Sequence, residues 1–161
     1  MPPVKELPRS VRMSIPLITN PIIGPFLVGN LNMMTTKGLT DMIVRKLTAE
    51  EKAAYTAPYK TKKSRRPLWV WPTDIPFDTS EDTPVNKAFV AWRDWFPTSS
   101  FPKLCLYVTP GAAIKEKEAA RIRETFTNTE VVNVGEGLHF MQEDRPHEIG
   151  EALAGWYAKI Q

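Results

Sequence analysis

The sequence predicts an α/β protein with a parallel sheet, preceded by a long helical and loop-rich segment. From Phe101 onward, a strand, a turn and an amphipathic helix alternate twice, which is typical of a parallel α/β sheet. Before Phe101, most of the 15 prolines break the chain into short helices and turns. Parallel sheets are normally buried on both faces and have more than two strands. We therefore expect the central strands to be absent, and we predict two domains, 1–100 and 101–161.

Two helices are predicted within the first hundred residues. Thr48 followed by Glu51 matches a capping box, which predicts the start of a short helix that continues through Tyr55. The segment Pro84–Phe96 is the second predicted helix, because its large apolar residues recur at spacings of three and four. We interpret this stripe as core-facing rather than as a cofactor site. Its members are Val85, Phe89, Trp92 and Phe96.

Four elements are predicted after Phe101, in the order strand, helix, strand, helix. They are Lys103–Val108, Glu116–Phe126, Val131–Val134 and Pro146–Lys159, the last with Ile149, Leu153 and Trp156 on one face. The single cysteine, Cys105, lies in the first apolar strand, so we expect burial rather than reactivity, and no disulfide framework.

Composition favours a globular protein, with 42% hydrophobic and 24% charged residues and a formal net charge of +3. We interpret the basic cluster as a solvated loop rather than a nucleic-acid interface, because no recognition helix or stacking motif accompanies it. Its members are Lys60, Lys62, Lys63, Arg65 and Arg66. No apolar run has the length of a membrane span, and no signal-peptide pattern opens the sequence. We expect a cytoplasmic protein.

His139 carries the strongest indication of a chemical role. It follows a predicted strand and the glycine-containing turn Gly135–Gly137, and loops at the carboxyl ends of parallel strands converge on the crevice of an α/β sheet. A general base also needs a group to activate and a carboxylate that holds its tautomer. A buried, hydrogen-bonded structural histidine is the alternative interpretation. His147, beside Pro146 at a helix start, is expected on the surface.

The neighbouring acids, Glu143 and Asp144, are followed by Arg145 and Pro146 and are interpreted as the charged entry to the last helix, where the helix dipole favours negative charge. No Gly-x-Ser-x-Gly elbow, metal-ligand cluster, phosphate loop or dinucleotide fingerprint is present. We therefore expect no metal and no cofactor. The residues by themselves indicate an incomplete site.

Three stretches resemble the haloalkane dehalogenase family of α/β-hydrolases, which is related to the coelenterazine luciferases. Residues 137–150, GLHFMQEDRPHEIG, resemble the family's catalytic-histidine motif. Residues 65–72, RRPLWVWP, look like its cap-domain signature, and residues 101–111, FPKLCLYVTPG, like its penultimate core strand and turn. Residues 32–45 are similar to a cap helix. The resemblance implies a partial α/β-hydrolase fold, with a helical cap in 1–100 and the last two parallel core strands in 101–161.

The resemblance also implies a mechanism. In the family an aspartate displaces halide from the substrate carbon, and a histidine, His139 here, activates water to hydrolyse the alkyl-enzyme ester. A third acid orients the histidine. The turn Thr109–Ile114 has no carboxylate, which is similar to the subfamily whose acid is a glutamate on the preceding strand, and that strand would lie before residue 1.

The family's nucleophilic aspartate, its adjacent tryptophan and its halide-binding asparagine belong to the N-terminal half, and no counterpart occurs in these 161 residues. We therefore expect the isolated chain to be inactive, and the substrate of a completed enzyme to be a small apolar halogenated compound. The resemblance assigns the pocket walls to Met34, Gly38, Leu39, Met42, Ala112, Ala113, Leu138 and Phe140. Without the family, each of these would be interpreted as an ordinary core residue.

Three further hypotheses stay open from the sequence. The chain is half of a split enzyme that binds a chain carrying the N-terminal half, or it is a non-catalytic binding protein in which two copies share edges and apolar faces. A luciferase-like monooxygenase is the third, since that activity shares the histidine and the cap.

Overall fold

The computed structural model describes residues 9–75 and 82–161, with side chains described from residue 13 onward. The chain divides into two compact units, which within the described residues are 9–75 and 82–161. The first unit is helical and the second contains a parallel sheet. The α/β class predicted from the sequence is therefore confirmed.

Residues 9–75 form short helices connected by turns, as the density of prolines predicts. The α-helices are α1 (Arg9–Thr19), α2 (Ala49–Thr56) and α3 (Arg66–Val70), with π-helical turns at Pro25–Asn30 and Met34–Gly38 and 3₁₀ turns at Ala57–Tyr59 and Trp71–Asp74. Buried residues of this unit include Val28, Leu39, Ile43 and Leu47. Among the residues that the structure describes, no helix is long and apolar enough to cross a bilayer.

The predicted capping box at the start of α2 is confirmed. The Thr48 hydroxyl accepts a hydrogen bond from the Glu51 backbone N–H at 3.2 Å, and the Thr48 N–H donates to the Glu51 carboxylate at 2.7 Å. Arg45 binds both oxygens of the same carboxylate, at 2.8 and 3.0 Å. These hydrogen bonds, first from Arg45 and then from Thr48, lower the pKa of Glu51 from 4.5 to about 2.

Arg65 anchors the turn that carries the basic cluster. Its guanidinium donates to the carbonyl oxygens of Tyr59, Gly29 and Lys60 at 2.7, 2.9 and 3.1 Å. The Trp69 ring and the Lys62 stem lie so close to Gly29 that an added Cβ would stand 3.0 and 3.4 Å from them. The prediction of a solvated loop was therefore wrong for Arg65, which closes the turn against the backbone, whereas the other four basic residues of the cluster are exposed.

Residues 82–161 contain two parallel strands and four helices. These are α4 (Pro84–Trp95), β1 (Lys103–Pro110), α5 (Glu116–Thr125), β2 (Thr129–Gly137), α6 (Met141–Asp144) and α7 (Pro146–Tyr157), with a 3₁₀ turn at Phe96–Thr98. The strands are in register from Lys103 opposite Thr129 to Tyr107 opposite Asn133. Both α5 and α7 contact both strands.

Two sequence predictions in this unit need correction. The second strand was predicted to end at Val134, but β2 continues to Gly137, so residues 135–137 are strand rather than turn. The apolar stripe on α4 was predicted to face a core, yet Val85 and Trp92 are 45% and 49% exposed. Trp92 instead stacks on Phe96, with ring centroids 4.7 Å apart. The other two residues of the stripe, Phe89 and Phe96, are half-buried, so the stripe is only partly covered by the described residues.

The end of α4 is joined to the sheet through an aromatic and cationic cluster. Phe96 meets Phe126 edge-on, with ring centroids 6.1 Å apart, so α4 belongs to the same compact unit as the sheet although the sequence grouped it with the preceding helices. Lys103 is 7% exposed, and its ammonium donates to the Ser99 and Phe101 carbonyl oxygens at 2.7 and 2.9 Å. The same Nζ lies 5.5 Å from the centre of the Phe96 ring.

We predict that Lys103→Met destabilises the chain by about 1–3 kcal/mol, because it removes the ammonium that donates to the carbonyl oxygen of the buried Ser99 and to that of Phe101. Lys87→Met is the matched control, since the Lys87 side chain is 70% exposed and bonds to Asp82 at the surface. Such exposed pairs contribute roughly 0–1 kcal/mol. Urea unfolding of both variants measures the difference, and equal midpoints for the two would contradict the prediction.

The stability of the chain in acid should depend on the ionisation of the Glu51 carboxylate. Because its pKa in the folded chain is about 2, below the ordinary 4.5, its contribution to stability is fully present above pH 4.5 and is lost as the pH falls through about 2. We expect the wild-type chain to be more stable than Glu51→Gln near neutral pH, and the difference to disappear below pH 2. Urea unfolding midpoints of both proteins, measured from neutral pH to below pH 2, test this pH dependence. A difference in midpoint that stays the same at every pH would refute it.

Candidate functional site at the carboxyl ends of the two strands

The carboxyl ends of β1 and β2 lie side by side and bring the predicted residues of this unit to one edge of the sheet. Pro110 lies opposite Gly137, and the Gly111 N–H donates to the Gly137 carbonyl oxygen at 3.1 Å. The next residues along each strand are Ala112 and Ala113 after β1, and Leu138, His139 and Phe140 after β2. Ala113 and His139 are exposed, and the other three are half-buried.

A β-bulge just before the end of β2 shifts the strand register. Tyr107 lies opposite Asn133, whereas Thr109 lies opposite Glu136, so β2 carries one extra residue between these pairs. Gly135 has a φ of 109°, a conformation that residues with a Cβ rarely adopt. Because side chains alternate along a strand, one inserted residue moves every following side chain to the opposite face. The bulge thus determines which face of the sheet the chain presents as it reaches His139.

Polar contacts hold the bulge in place. The Asn133 amide donates to the Thr109 hydroxyl at 3.0 Å and its oxygen accepts from the Gly135 N–H at 2.7 Å. Arg145 donates to the Glu136 carbonyl oxygen at 2.9 Å, and its guanidinium lies so close to Gly135 that an added Cβ would stand 3.1 Å from Nε. This bulge was not predicted from the sequence, although the two glycines that follow Asn133 in a strand-like run are a signal for one.

The imidazole of His139 faces solvent and contacts the Phe140 ring edge-on, with ring centroids 4.9 Å apart. Within the described residues its nitrogens make no hydrogen bond, so the alternative of a buried, hydrogen-bonded histidine does not describe this residue. Acid–base catalysis by a histidine needs a group to activate and a partner that holds its tautomer, and the described residues provide neither by a hydrogen bond to His139. His147 is exposed at the start of α7, as predicted.

Nearby carboxylates have other contacts. Glu116, at the start of α5, accepts a hydrogen bond from the Tyr107 hydroxyl at 2.7 Å. Glu143 and Asp144 are half-buried in the single-turn helix α6, which ends just before α7, so they stand at the entry to the last helix, as predicted. The turn between Gly111 and Lys115 contains no carboxylate. This turn therefore supplies no carboxylate that could orient His139.

The other four predicted pocket residues lie in the unit formed by residues 9–75. Met34 and Gly38 begin and end a π-helical turn, and Leu39 and Met42 follow it, with the Met42 N–H donating to the Leu39 carbonyl oxygen at 3.2 Å. Leu39 is 5% exposed, whereas the other three are half-buried. A pocket role and a core role remain alternative predictions for these residues.

Cys105 lies in β1 and is half-buried, as its apolar surroundings predict. Burial raises the pKa of its thiol above the ordinary value, an effect that the positive charge of Arg123 partly opposes. A thiol with a raised pKa is a poor nucleophile near neutral pH. Among the described residues no group of three or more His, Cys, Asp or Glu side chains could hold a metal ion.

Comparison with known proteins finds a consistent set of relatives. A haloalkane dehalogenase from Bradyrhizobium diazoefficiens is 35% identical over 138 residues, which are 86% of this chain and 44% of that protein. A haloalkane dehalogenase from Sphingobium indicum is 33% identical over 144 residues, which are 86% of this chain and 46% of that protein. No family model matches the chain.

Solved structures agree with the sequence relatives. The crystal structure of a haloalkane dehalogenase from Bradyrhizobium elkani superposes with a TM-score of 0.93 at 31% identity, covering 99% of this chain and 55% of that one. The enzyme from Agrobacterium tumefaciens gives a TM-score of 0.84 at 26% identity, covering 98% of this chain and 54% of that one. The chain thus spans about half the length of the proteins it matches.

The bulge provides a direct test of the site's geometry. We predict that Gly135→Ala destabilises the chain by about 1–3 kcal/mol, because alanine disfavours a φ of 109° and its methyl group would crowd Arg145. The control is Gly150→Ala in α7, where nothing lies within 4 Å of an added Cβ and alanine favours the helix. If urea unfolding showed both variants equally stable, the bulge would not depend on glycine.

Proposed function

Since the chain is homologous over most of its length to haloalkane dehalogenases, we propose that it supplies the water-activating histidine and part of the pocket wall of such an active site. The observation that carries this proposal is the position of His139. It stands directly after the last paired residues of β2, at the edge where both strands end. This is the place where α/β sheets hold their catalytic groups.

The proposed chemistry follows the pattern that the resemblance implies. A carboxylate attacks the halogen-bearing carbon of the substrate, the carbon–halogen bond breaks, and halide leaves as an alkyl ester forms. His139 then takes a proton from water, and the resulting hydroxide attacks the ester carbonyl. The alcohol product departs, the carboxylate is regenerated, and the proton taken up by His139 passes to solvent. Dividing the displacement into two steps in this way is the advantage of covalent catalysis.

The exposure of His139 is consistent with a site that needs further residues. A histidine that activates water works best when a carboxylate holds its other nitrogen and when the pocket excludes bulk water. Neither condition is met by the described residues around His139. We propose that the nucleophilic and orienting carboxylates come from the part of the relatives that these 161 residues do not match.

The pocket wall follows from the same comparison. Ala112 and Ala113, next to the end of β1, and Leu138 and Phe140, on either side of the histidine, are small or apolar and suit an apolar substrate. We propose that Met34, Gly38, Leu39 and Met42 contribute the cap side of the pocket. These residues have no polar side-chain group that would need a hydrogen bond from a small halogenated alkane.

The 161-residue chain alone should release no halide from a short 1-bromoalkane, because the resemblance places the nucleophilic aspartate in the half of the relatives that this chain does not match. Loss of such a group costs several powers of ten in rate. Ion chromatography of bromide tests this expectation directly. The Bradyrhizobium diazoefficiens relative is assayed in parallel. If the chain alone released bromide at the same rate, the proposal that its nucleophile comes from the unmatched part of the relatives would be overturned.

We expect turnover to be restored when the chain is mixed with the segment of the Bradyrhizobium diazoefficiens relative that it does not match. In this mixture, His139→Gln should lower the turnover rate by about 10³-fold or more. The variant should still release one equivalent of bromide and retain the alkyl group as an ester, seen by mass spectrometry. His147→Gln is the matched control, since it alters the other histidine, exposed on α7. Full turnover in the mixed His139→Gln protein would refute the assigned role.

A further inference from the structure

His139 lies in a short loop that leads from the end of β2 through the single-turn helix α6. This segment, residues 137–144, is called the His139 loop below. Within the described residues, the imidazole makes no hydrogen bond, and the ring that it contacts is that of Phe140, a member of the same loop. The direction of the imidazole therefore depends on how the backbone of the His139 loop is fixed at its two ends.

The beginning of the His139 loop is fixed against β1. Pro110 is paired with Gly137 in the sheet, and the Gly111 N–H donates to the Gly137 carbonyl oxygen at 3.1 Å. Gly137 also lies so close to Val108, which is 3% exposed, that an added Cβ would stand 3.0 Å from the valine side chain. A glycine in a strand often marks such a close approach. The first residue of the loop therefore has little room to move.

The end of the His139 loop is fixed at Arg145, the residue between α6 and α7. Its N–H donates to the Met141 carbonyl oxygen at 2.8 Å, and its carbonyl oxygen accepts from the Ile149 N–H at 3.1 Å. Pro146 follows it as the first residue of α7, and a proline restricts the backbone of the residue before it. The side chain of Arg145 thus extends from a rigid corner between two helices.

This side chain returns to the strand that the His139 loop leaves. The Nε–H of Arg145 donates to the Glu136 carbonyl oxygen at 2.9 Å, so one hydrogen bond joins the residue before the loop to the residue after it. The side chain of Arg145 is 33% exposed. A hydrogen bond from a charged donor is roughly twice as strong as one between neutral groups. The bond therefore closes the loop and holds its two ends together.

The second contact of the guanidinium has a different reach. Nη1 of Arg145 donates to the Glu148 carboxylate at 3.3 Å, and the Glu148 side chain is 44% exposed. Ion pairs with exposed carboxylates contribute little to stability. Glu148 lies on α7, only three residues after the arginine, so this pair does not connect the helix to β2. Of the two contacts, the Nε–H bond is the one that spans the His139 loop.

We propose that Arg145 is a positioning residue for His139, and that its bond to the Glu136 carbonyl oxygen fixes the His139 loop in the geometry that water activation requires. This inference rests on the proposed function, because Arg145 acts through the proposed base. A displacement of a catalytic group by about 1 Å lowers a rate by up to roughly 10²-fold. Only hydrolysis of the ester uses His139, so that step should depend on Arg145 and the release of halide should not.

Substitutions at Arg145 separate its hydrogen bond from its charge. Glutamine has an amide nitrogen where arginine has Nε, so Arg145→Gln keeps a donor for Glu136 and loses the charge. Arg145→Met keeps a stem of similar length and has no donor. Glu148→Gln is the complementary variant, since it removes the ion pair and keeps the guanidinium. Arg93→Met is the matched control, because Arg93 is 51% exposed on α4 and pairs with its neighbour Asp94.

NMR relaxation of the backbone amides, measured on the full 161-residue chain, reports the order of the His139 loop without any catalysis. In Arg145→Met we expect the amide order parameters of Leu138, His139 and Phe140 to fall below about 0.6. In the wild-type chain and in the other three variants they should stay at roughly 0.85, the value of a rigid backbone. Circular dichroism checks that each variant folds.

The two chemical steps are then measured in the mixture with the unmatched segment of the Bradyrhizobium diazoefficiens relative. Rapid quenching follows the first equivalent of bromide, and mass spectrometry follows the loss of the alkyl ester. We expect Arg145→Met to slow ester hydrolysis by about 10- to 100-fold and bromide release by less than about twofold. Arg145→Gln should restore ester hydrolysis to within about threefold of the wild-type rate.

The outcomes separate this inference from the proposed function. A loop that loosens in Arg145→Met and stays ordered in Arg145→Gln supports the positioning role, and a wild-type mixture without turnover contradicts the proposed function alone. The same order in both Arg145 variants, whether high or low, overturns the positioning role. Equal slowing of both chemical steps also overturns it and leaves the proposed function standing.

The remaining variants decide the question if Arg145→Met does not fold. An ordered His139 loop in both Arg145→Gln and Glu148→Gln supports the assignment to the Nε–H bond. A loosened loop in Glu148→Gln would assign the effect to the ion pair, and a loosened loop in Arg145→Gln would assign it to the charge. Either result overturns the positioning role of the bond to Glu136.

Discussion

The parallel pairing of β1 with β2 determines where the residues of the candidate site lie within residues 82–161. It aligns the carboxyl ends of both strands, so that the turn after Pro110 and the segment after Gly137 begin at the same edge. The one-residue bulge at Gly135, held by Asn133 and Arg145, then changes the face that the chain presents before His139. Without the bulge the pairing would still exist, but every side chain beyond it would lie on the opposite face. The geometry of the candidate site therefore depends on backbone register more than on any side-chain contact.

Two cations hold the irregular parts of the fold by binding carbonyl oxygens rather than carboxylates. Lys103 donates hydrogen bonds to carbonyl oxygens of the turn that follows α4. Arg65 donates to those of Gly29, Tyr59 and Lys60. Turns broken by proline leave carbonyl groups without helical partners, and a cation with several donors satisfies more than one of them. This explains how a chain with many prolines keeps defined turns in both compact units.

The exposure of His139 agrees with the small number of strands that end beside it. A parallel sheet normally has more than two strands, and the loops at their carboxyl ends together form the site. Among the described residues only β1 ends beside β2, and the imidazole of His139 has no hydrogen-bond partner there. The proposed function is based on this feature and on the finding that the chain spans about half the length of the proteins it matches.

The sequence by itself determined the local elements and the class of the fold. The capping box at Thr48, the helix that starts at Pro84 and the two apolar strands all depend on neighbouring residues, and the resemblance at 137–150 identified the relatives that the comparisons confirm. Tertiary structure decided the bulge that extends β2, the internal role of Arg65 and the exposure of the α4 stripe. These depend on which backbone groups meet across the chain, and residue periodicity carries no information about partners that are distant in sequence or absent.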